Sequence, residues 1–212
     1  MTYIIMCGGN YKDWPTPKQL IKIHGEPIVA RTIRLLRENG IDDIAISSNN
    51  PVFEQFGVPV LHHDNQWDVS GYDRASGTWV NAFYPMHEPV CYLLGDVVFS
   101  RDAIRTIINT DTDDIEFFAS APPFSPAYPK EHAEPFGFKV VDTERFRSCI
   151  DKVRRLEQAR KFKRHPIAWE LWQVIKHTKL NEIDYTNYTV INDYTCDIDW
   201  TDESHLFDGV DL

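Results

Sequence analysis

The sequence lacks an excess of basic residues, although 25% of its side chains are charged. Of its 212 residues, 32 are acidic and 22 are basic, which gives a net charge of −10 with histidine counted as neutral. Proteins that bind nucleic acid without sequence preference rely on clustered Lys and Arg to release counterions from the phosphates. The acidic balance therefore argues against nucleic acid as a partner.

The sequence also lacks a long apolar run and a paired cysteine motif. No stretch approaches the ~18 apolar residues that a membrane span needs, and no basic leader precedes the first apolar run, so we expect neither membrane anchoring nor export. The cysteines form no C-x-x-C pair and mostly lie in or beside apolar segments, as small hydrophobic residues do. They are Cys7, Cys91, Cys149 and Cys196. This usage predicts a reduced, cytoplasmic protein.

The composition is that of an ordinary globular protein, with 42% hydrophobic and 13% aromatic residues. At this length the chain can bury a sizeable core, and we find neither an internal repeat nor a linker. We therefore expect one domain over residues 1–212.

The first 46 residues carry a strand–helix–strand pattern. Residues 3–6 are an apolar run that ends in a glycine turn, residues 27–39 have apolar side chains at helical spacing, and residues 44–46 form a second apolar run. Pro27 and Gly40 stand where a helix begins and ends. This order predicts a βαβ unit and an α/β fold with a three-layer, Rossmann-like α/β/α architecture around a mostly parallel mixed sheet.

Later segments extend the same pattern. We expect an edge strand at 58–61, a buried central strand at 90–94 and a further strand at 115–119, while the alternation at 136–141 predicts a half-exposed strand. Helical spacing recurs within residues 143–163 and 166–177. We expect the region after Leu94 to decorate one side of the sheet.

Three features fall at or near strand ends, where ligands bind in open parallel sheets. The first is the glycine turn at 7–10 with Lys18 shortly after it, because glycines let backbone N–H groups close around phosphate oxygens. The second is Asp96, directly after the run 90–94. The third is the acidic segment 196–203, whose carboxylates could join Asp96 around a hard cation.

These features resemble the nucleotidyltransferases of the glycosyltransferase-A-like fold. That family opens with a strand and an A-G-G-x-G-x-R loop, followed by P-K-x-L and then by G-x-P at the start of a helix. This sequence has M-C-G-G-N at 6–10, P-K-Q-L at 17–20 and G-E-P at 25–27, in the same order and at near-family spacing. The strand-end G-D of the family matches residues 95–96, and its late D-x-D-T-P-E-D segment is similar to D-I-D-W-T-D-E at 197–203.

The resemblance implies attack of a phosphate monoester on the α-phosphorus of a nucleoside triphosphate, with release of pyrophosphate. It assigns Lys18, Asp96 and Asp199 to catalysis, with Mg²⁺ or Mn²⁺ held by Asp96 and Asp199. Asp197 is the alternative ligand, because residues two apart on a strand face the same side.

The glycine-rich loop would bind the triphosphate together with Lys18 and Asp96. Tyr11 stands where the family often has a further glycine, and the family's arginine is absent, so Lys12 is the nearest substitute. The proposed loop residues are Cys7, Gly8, Gly9, Asn10 and Lys12.

A further segment at 70–78 lies where the family places its base-recognition loop. It is similar to a compressed G-G-x-x-R-x-x-S motif of methylerythritol-phosphate cytidylyltransferases, which favours CTP as the nucleotide. Its candidate nucleotide-binding residues are Gly71, Arg74, Ser76 and Gly77.

The basic cluster at 160–165 stands out in an acidic chain. It is either a solvated helix end or a site for the phosphate of the acceptor, with Lys161, Lys163 and Arg164 as its binding residues. We accordingly assign residues 1–98 to nucleotide binding and residues 99–192 to the acceptor. Two other functions stay open: a nucleotide-sugar-dependent glycosyltransferase, and a sensor that binds a nucleotide without turnover.

Overall fold

The computed structural model describes residues 1–8, 16–62, 79–121, 133–183, 185–199 and 203–212. These ranges contain the following strands: β1 (Thr2–Met6), β2 (Lys22–Ile23), β3 (Glu26–Pro27), β4 (Ile44–Ser47), β5 (Val60–Leu61), β6 (Val90–Leu94), β7 (Val97–Val98), β8 (Ile115–Ala119), β9 (Pro135–Val140), β10 (Thr189–Val190) and β11 (Cys196–Asp197). The α-helices are α1 (Ile28–Glu38), α2 (Arg101–Asn109), α3 (Thr143–Gln158) and α4 (Ala168–Lys176).

Seven of the described strands form one mixed sheet in the order β10-β8-β9-β6-β1-β4-β5. Neighbouring strands are parallel except at β9, which runs antiparallel to both β6 and β8. The predicted mostly parallel sheet is thus confirmed. The strands β1, β4, β6 and β8 all end at the same edge, which we name the carboxyl edge, and β9 begins there.

Helices cover both faces of the sheet, which confirms the three-layer architecture. On one face α1 and α2 contribute Ile33 and Ile104 to a core that includes Ile5 of β1. On the other face α3 and α4 contribute Phe146 and Trp172, among other residues. Successive residues of β1 enter different cores because side chains alternate across a strand.

Strand β9 differs from its prediction. The alternation of its sequence predicted a half-exposed strand, yet every residue from Phe136 to Val140 is buried. The strand lies between β6 and β8 with helices on both faces, so polar residues within it need internal partners. Lys139 finds them at the end of α2, where its Nζ donates hydrogen bonds to the carbonyl oxygens of Ile108 and Thr110 at 2.9 and 2.6 Å.

The expectation that the region after Leu94 only covers one side of the sheet is wrong. That region adds three strands, β8, β9 and β10, to the sheet itself and places helices on both of its faces. The four cysteines form no disulfide and are buried, in agreement with their expected apolar surroundings. No helix within the described ranges is both long and apolar enough to cross a membrane.

Candidate active site

The end of β1 forms the floor of the candidate site. The backbone N–H of Cys7 donates to the carbonyl oxygen of Ser47 at 2.9 Å, and the Ser48 hydroxyl donates to the carbonyl oxygen of Cys7 at 3.0 Å. Burial raises the pKa of the Cys7 thiol well above its ordinary value, and the nearby carboxylate of Asp96 raises it further. Cys7 is therefore held as a neutral thiol, which is a poor nucleophile.

Three other predicted loop residues, Gly9, Asn10 and Lys12, lie outside the described residues. So do Gly71, Arg74, Ser76 and Gly77, the proposed base-recognition residues.

Gly95 brings the end of β6 against the end of β1. Its N–H donates to the carbonyl oxygen of Met6 at 3.1 Å, and a Cβ built on Gly95 would lie only 2.5 Å from that same oxygen. A larger residue cannot occupy this position without moving one of the two strands. The glycine thus fixes Asp96, the residue that follows it, beside β1.

Lys18 lies between the two predicted catalytic carboxylates, Asp96 and Asp199. It belongs to a short 3-10 helix, Lys18–Leu20, and its side chain is only 4% exposed. Its Nζ atom is 3.2 Å from Oδ1 of Asp199 and 3.9 Å from Oδ2 of Asp96. The fold therefore brings together Lys18, Asp96 and Asp199, three residues that are far apart in sequence.

The C-terminal segment reaches this site through a small two-stranded sheet. Strand β11 pairs antiparallel with β7, so that Asp197 is opposite Val97. The pairing continues as the N–H of Ile198 donates to the carbonyl oxygen of Asp96 at 3.1 Å. One residue later, the N–H of Asp199 donates to Oε2 of Glu203 at 2.6 Å. This ladder sets Asp199 next to Asp96.

Glu134 adds a further carboxylate beside Asp197 and Asp199, and the sequence interpretation missed it. Carboxylate oxygens of Glu134, Asp197 and Asp199 all lie within 4.8 Å of one another. Glu134 is only 8% exposed, and its backbone is held by Ser120, which accepts a hydrogen bond from its N–H through Oγ at 2.8 Å. Asp197 and Asp199 share one side of their segment, as the alternation predicted.

The direction of β9 explains why the sequence did not indicate Glu134. The residue stands immediately before β9, and β9 begins at the carboxyl edge because it is antiparallel to β6. A parallel β9 would have carried Glu134 to the opposite edge. No motif surrounds Glu134, so only the strand direction could have identified it.

The donor set fits a divalent cation such as Mg²⁺ or Mn²⁺. Carboxylate oxygens are the ligands that these hard cations prefer. Several carboxylates held close together, one of them buried, repel one another unless positive charge lies among them. Lys18 supplies one positive charge, and a metal ion bound by these oxygens would add two more.

The structure places the basic cluster in the connection between α3 and α4. Lys161 and Lys163 are exposed, whereas Arg164 forms an ion pair with the buried Glu170, with Nε 2.5 Å from Oε1. The described contacts do not join this cluster to Asp96 or Asp199.

Comparison with known proteins agrees with the geometry. Residues 3–171 match the family model of the MobA-like NTP transferase domain. No curated protein matches the chain.

Two solved structures share the fold at low sequence identity. One, from Bacillus anthracis, is assigned as a glucose-1-phosphate thymidylyltransferase in complex with sucrose; it is 16% identical, with a TM-score of 0.54, over 92% of this chain and 89% of that chain. The other is the inositol-1-phosphate CTP transferase from T. maritima, 14% identical with a TM-score of 0.54, over 98% of this chain and 94% of that chain.

Proposed function

The chain belongs to the MobA-like NTP transferase family, and we propose that it transfers a nucleotidyl group from a nucleoside triphosphate to a small phosphomonoester. The observation that carries this proposal is Lys18, buried between Asp96 and Asp199 at the carboxyl edge. A site for a nucleoside triphosphate needs both a cation for the phosphates and carboxylates for a metal. Both are assembled here from three separate parts of the chain.

The proposed reaction is a single displacement. A phosphate oxygen of the acceptor attacks the α-phosphorus, and the bond from the α-phosphorus to the bridging oxygen breaks, so that pyrophosphate leaves with the electron pair. No protein nucleophile is needed. The neutral Cys7 thiol, whose pKa is raised by burial, is consistent with this.

Asp96 and Asp199 are the proposed ligands of Mg²⁺ or Mn²⁺, with Asp197 and Glu134 close enough to Asp199 to share the same ion. When bound, this metal supplies positive charge to the phosphates. Lys18 has two tasks in the proposal: it holds Asp96 and Asp199 near each other, and it stabilises negative charge on the α-phosphoryl oxygens.

The nucleotide is proposed to lie over residues 1–98. The loop that carries Cys7, Gly8, Gly9 and Asn10 would bind the triphosphate through the backbone N–H groups that follow Cys7, with Lys12 in place of the family's arginine. The base would contact the segment that carries Gly71, Arg74, Ser76 and Gly77, and CTP is the favoured nucleotide.

The acceptor is proposed to lie over residues 99–192, with its phosphate near Lys161, Lys163 and Arg164. The product would be a nucleotide-activated small molecule, as used in polysaccharide precursor synthesis. The four buried cysteines, which form no disulfide, support a reducing, cytoplasmic location for this activity.

One screen tests the proposal. The protein is incubated with Mg²⁺, each of four nucleoside triphosphates and a panel of sugar, polyol, choline and amino-acid phosphates, and pyrophosphate is measured. We expect release that depends on both substrates, with CTP fastest, and none from an Asp96→Asn, Asp199→Asn double variant. Nucleotide binding without pyrophosphate would instead indicate a sensor. Release of a nucleoside diphosphate from a nucleotide sugar would indicate a glycosyltransferase.

A further inference from the structure

The connection between α3 and α4, residues 159–167, presents positive charge on an acidic protein. We name it the basic loop. Arg160, Lys161 and Lys163 are exposed and form no ion pair with any residue in the described ranges. The whole chain has 32 acidic residues and a net charge of −10, so many carboxylates could have been placed to neutralise them. Three unneutralised cations within four residues therefore call for an explanation.

Buried glutamates anchor the basic loop at both ends. At its start, the carboxylate of Glu157 is 5% exposed and lies 2.8 Å from Nδ1 of His165. At its end, the carboxylate of Glu170 is 4% exposed and is bound by Nε of Arg164 at 2.5 Å. A buried carboxylate is costly unless it is paired and hydrogen-bonded. The contact of His165 with Glu157 ties the loop to α3, and the ion pair of Arg164 with Glu170 ties it to α4.

Further contacts fix the backbone between the two anchors. Phe162 is buried in the core formed with α3 and α4, and Pro166 is buried as well. The N–H of Ile167 donates to Oε2 of Glu170 at 3.0 Å, so this one carboxylate binds both the loop backbone and Arg164. Arg160 adopts a φ of 52°, an uncommon value for a residue other than glycine.

The start and length of α3 indicate that the basic loop lies toward the carboxyl edge. Helix α3 begins at the opposite edge, where the Thr143 hydroxyl donates to the carbonyl oxygen of His87, shortly before β6 starts. Its 16 residues span about 24 Å at 1.5 Å per residue. Strands of five or six residues span only about 17–20 Å, so the end of α3 returns to the edge where Asp96 and Glu134 lie.

We propose that the basic loop is a preformed site for the phosphate of the acceptor, in which Arg160, Lys161 and Lys163 bind and Arg164 is a positioning residue. The inference rests on the proposed function and refines it, because it removes Arg164 from the binding groups and adds Arg160. A loop backbone held in place keeps the three cations close together, so less conformational entropy is lost when they bind an anion than in a flexible loop.

Kinetics of a Lys161→Gln, Lys163→Gln double variant test the binding role. We expect the KM for the acceptor to rise about 10-fold or more, because two charge-assisted contacts are lost. The KM for the triphosphate and the kcat should change less than about twofold, and the effect should shrink at high salt because exposed charges are screened. A Lys152→Gln, Arg155→Gln variant is the matched control, since both residues are exposed on α3. An unchanged acceptor KM in the loop variant would overturn the inference.

The positioning role of Arg164 is tested by comparing Arg164→Gln with Glu170→Gln. If Arg164 positions the loop through Glu170, both substitutions raise the acceptor KM with little change in kcat. If Arg164 binds the acceptor directly, Glu170→Gln releases its charge and the acceptor KM stays or falls. Should Glu170→Gln fail to fold, Arg164→Lys replaces it, because a lysine keeps the charge but loses the planar guanidinium fork. Full recovery of the acceptor KM by lysine would then contradict a positioning role.

Titration with inorganic phosphate separates this inference from the proposed function. The wild type should bind phosphate without any nucleotide, and the Lys161→Gln, Lys163→Gln variant should bind it at least about fivefold more weakly, as expected for loss of ~1 kcal/mol. If no substrate pair gives pyrophosphate but this loss is seen, the proposed function fails and the loop site stands. If pyrophosphate is released while phosphate binding and the acceptor KM are unchanged in the variant, the loop site fails and the proposed function stands.

Discussion

The ammonium group of Lys18 is almost completely buried, and this decides how the candidate site works at the scale of single residues. A buried cation is stable only when opposite charges and hydrogen bonds replace its water. Asp199 at 3.2 Å and Asp96 at 3.9 Å provide those charges. Lys18 is thus fixed before any ligand arrives, which removes the cost of ordering a flexible side chain during the reaction.

The carboxylates give the first prediction. We expect Asp96→Asn and Asp199→Asn each to abolish turnover with Mg²⁺ or Mn²⁺, because a neutral amide is a poorer ligand for a hard cation. The same variants should weaken Mn²⁺ binding, which paramagnetic resonance measures without any substrate. Glu134→Gln should weaken Mn²⁺ binding as well, since its oxygen lies within 4.8 Å of those of Asp197 and Asp199. An Asp199→Asn variant with normal activity beside an inactive Asp197→Asn variant would show that Asp197 is the ligand.

Lys18 gives the second prediction. Lys18→Ala should lower kcat by about 10²-fold or more, which corresponds to ~2.7 kcal/mol of lost charge stabilisation. Its effect on triphosphate affinity, measured by calorimetry, should be smaller. Lys22→Ala is the control, because Lys22 is exposed on β2 a few residues away. A collapse of affinity with an intact kcat would make Lys18 a binding residue only.

The sequence indicated some members of this group of side chains and gave no sign of others. Lys18, Asp96 and Asp199 were identified because short motifs surround them, and the structure brings them together. Glu134 has no such motif. Its place in the cluster depends on the antiparallel direction of β9, which hydrophobic periodicity does not encode.

At the scale of elements, the buried parallel strands were easy to predict and the exceptions were not. The apolar runs of β1, β4 and β6 identify strands that are covered on both faces. Strand β9 has an alternating sequence that is typical of exposure on one face, yet helices cover both of its faces. Strands β7 and β11 have two residues each, too few for any periodicity to appear.

The junction between β6 and β7 gives the third prediction. Gly95→Ala should destabilise the fold by about 1–3 kcal/mol through overpacking against β1, and it should lower kcat because Asp96 must move. Gly40→Ala is the matched control: Gly40 has a φ of 77° and lies before β4 at the edge opposite the site, so an added Cβ strains the backbone there without touching the site. We expect both variants to lower the melting temperature, while only Gly95→Ala lowers kcat at a temperature where both are folded. Equal kcat values would contradict a role of Gly95 in placing Asp96.

At the scale of the whole molecule, the two ends of the chain form one site. Strand β1 lies inside the sheet between β6 and β4, and residues 196–199 reach the carboxyl edge through β11 and the contact of Asp199 with Lys18. Arg31 of α1, which is only 5% exposed, holds this arrangement by donating to the carbonyl oxygen of Phe99 at 3.2 Å and to the main-chain oxygen of Leu212 at 2.8 Å. His24 adds a hydrogen bond to the carbonyl oxygen of Phe207 at 2.7 Å.

These long-range contacts could not be predicted from the sequence. A single arginine within an amphipathic helix is expected at the surface, and Arg34 and Glu38 follow Arg31 at helical spacing. Only the arrival of the C-terminal segment beside α1 buries Arg31. The acidic motif near Asp199 was recognised, but the means by which the fold holds it in place was not.

Arg31 therefore gives the last prediction. Arg31→Met keeps an unbranched side chain of similar reach but leaves the carbonyl oxygen of Phe99 and the main-chain oxygen of Leu212 with fewer partners, so we expect a loss of about 1–3 kcal/mol in stability. Amide hydrogen exchange over residues 196–212 should accelerate more than exchange in β1, because the C-terminal segment loses its anchor while the central sheet does not. The activity should fall as well, because the position of Asp199 depends on the C-terminal segment.

Arg37→Met is the control, because Arg37 lies on the exposed side of the same helix with one 3.3 Å contact to the carbonyl oxygen of Gly57. It should leave the stability, the hydrogen exchange and the activity unchanged. Uniform acceleration across the whole chain in Arg31→Met would show that Arg31 supports the fold as a whole and has no special role at the C-terminal segment.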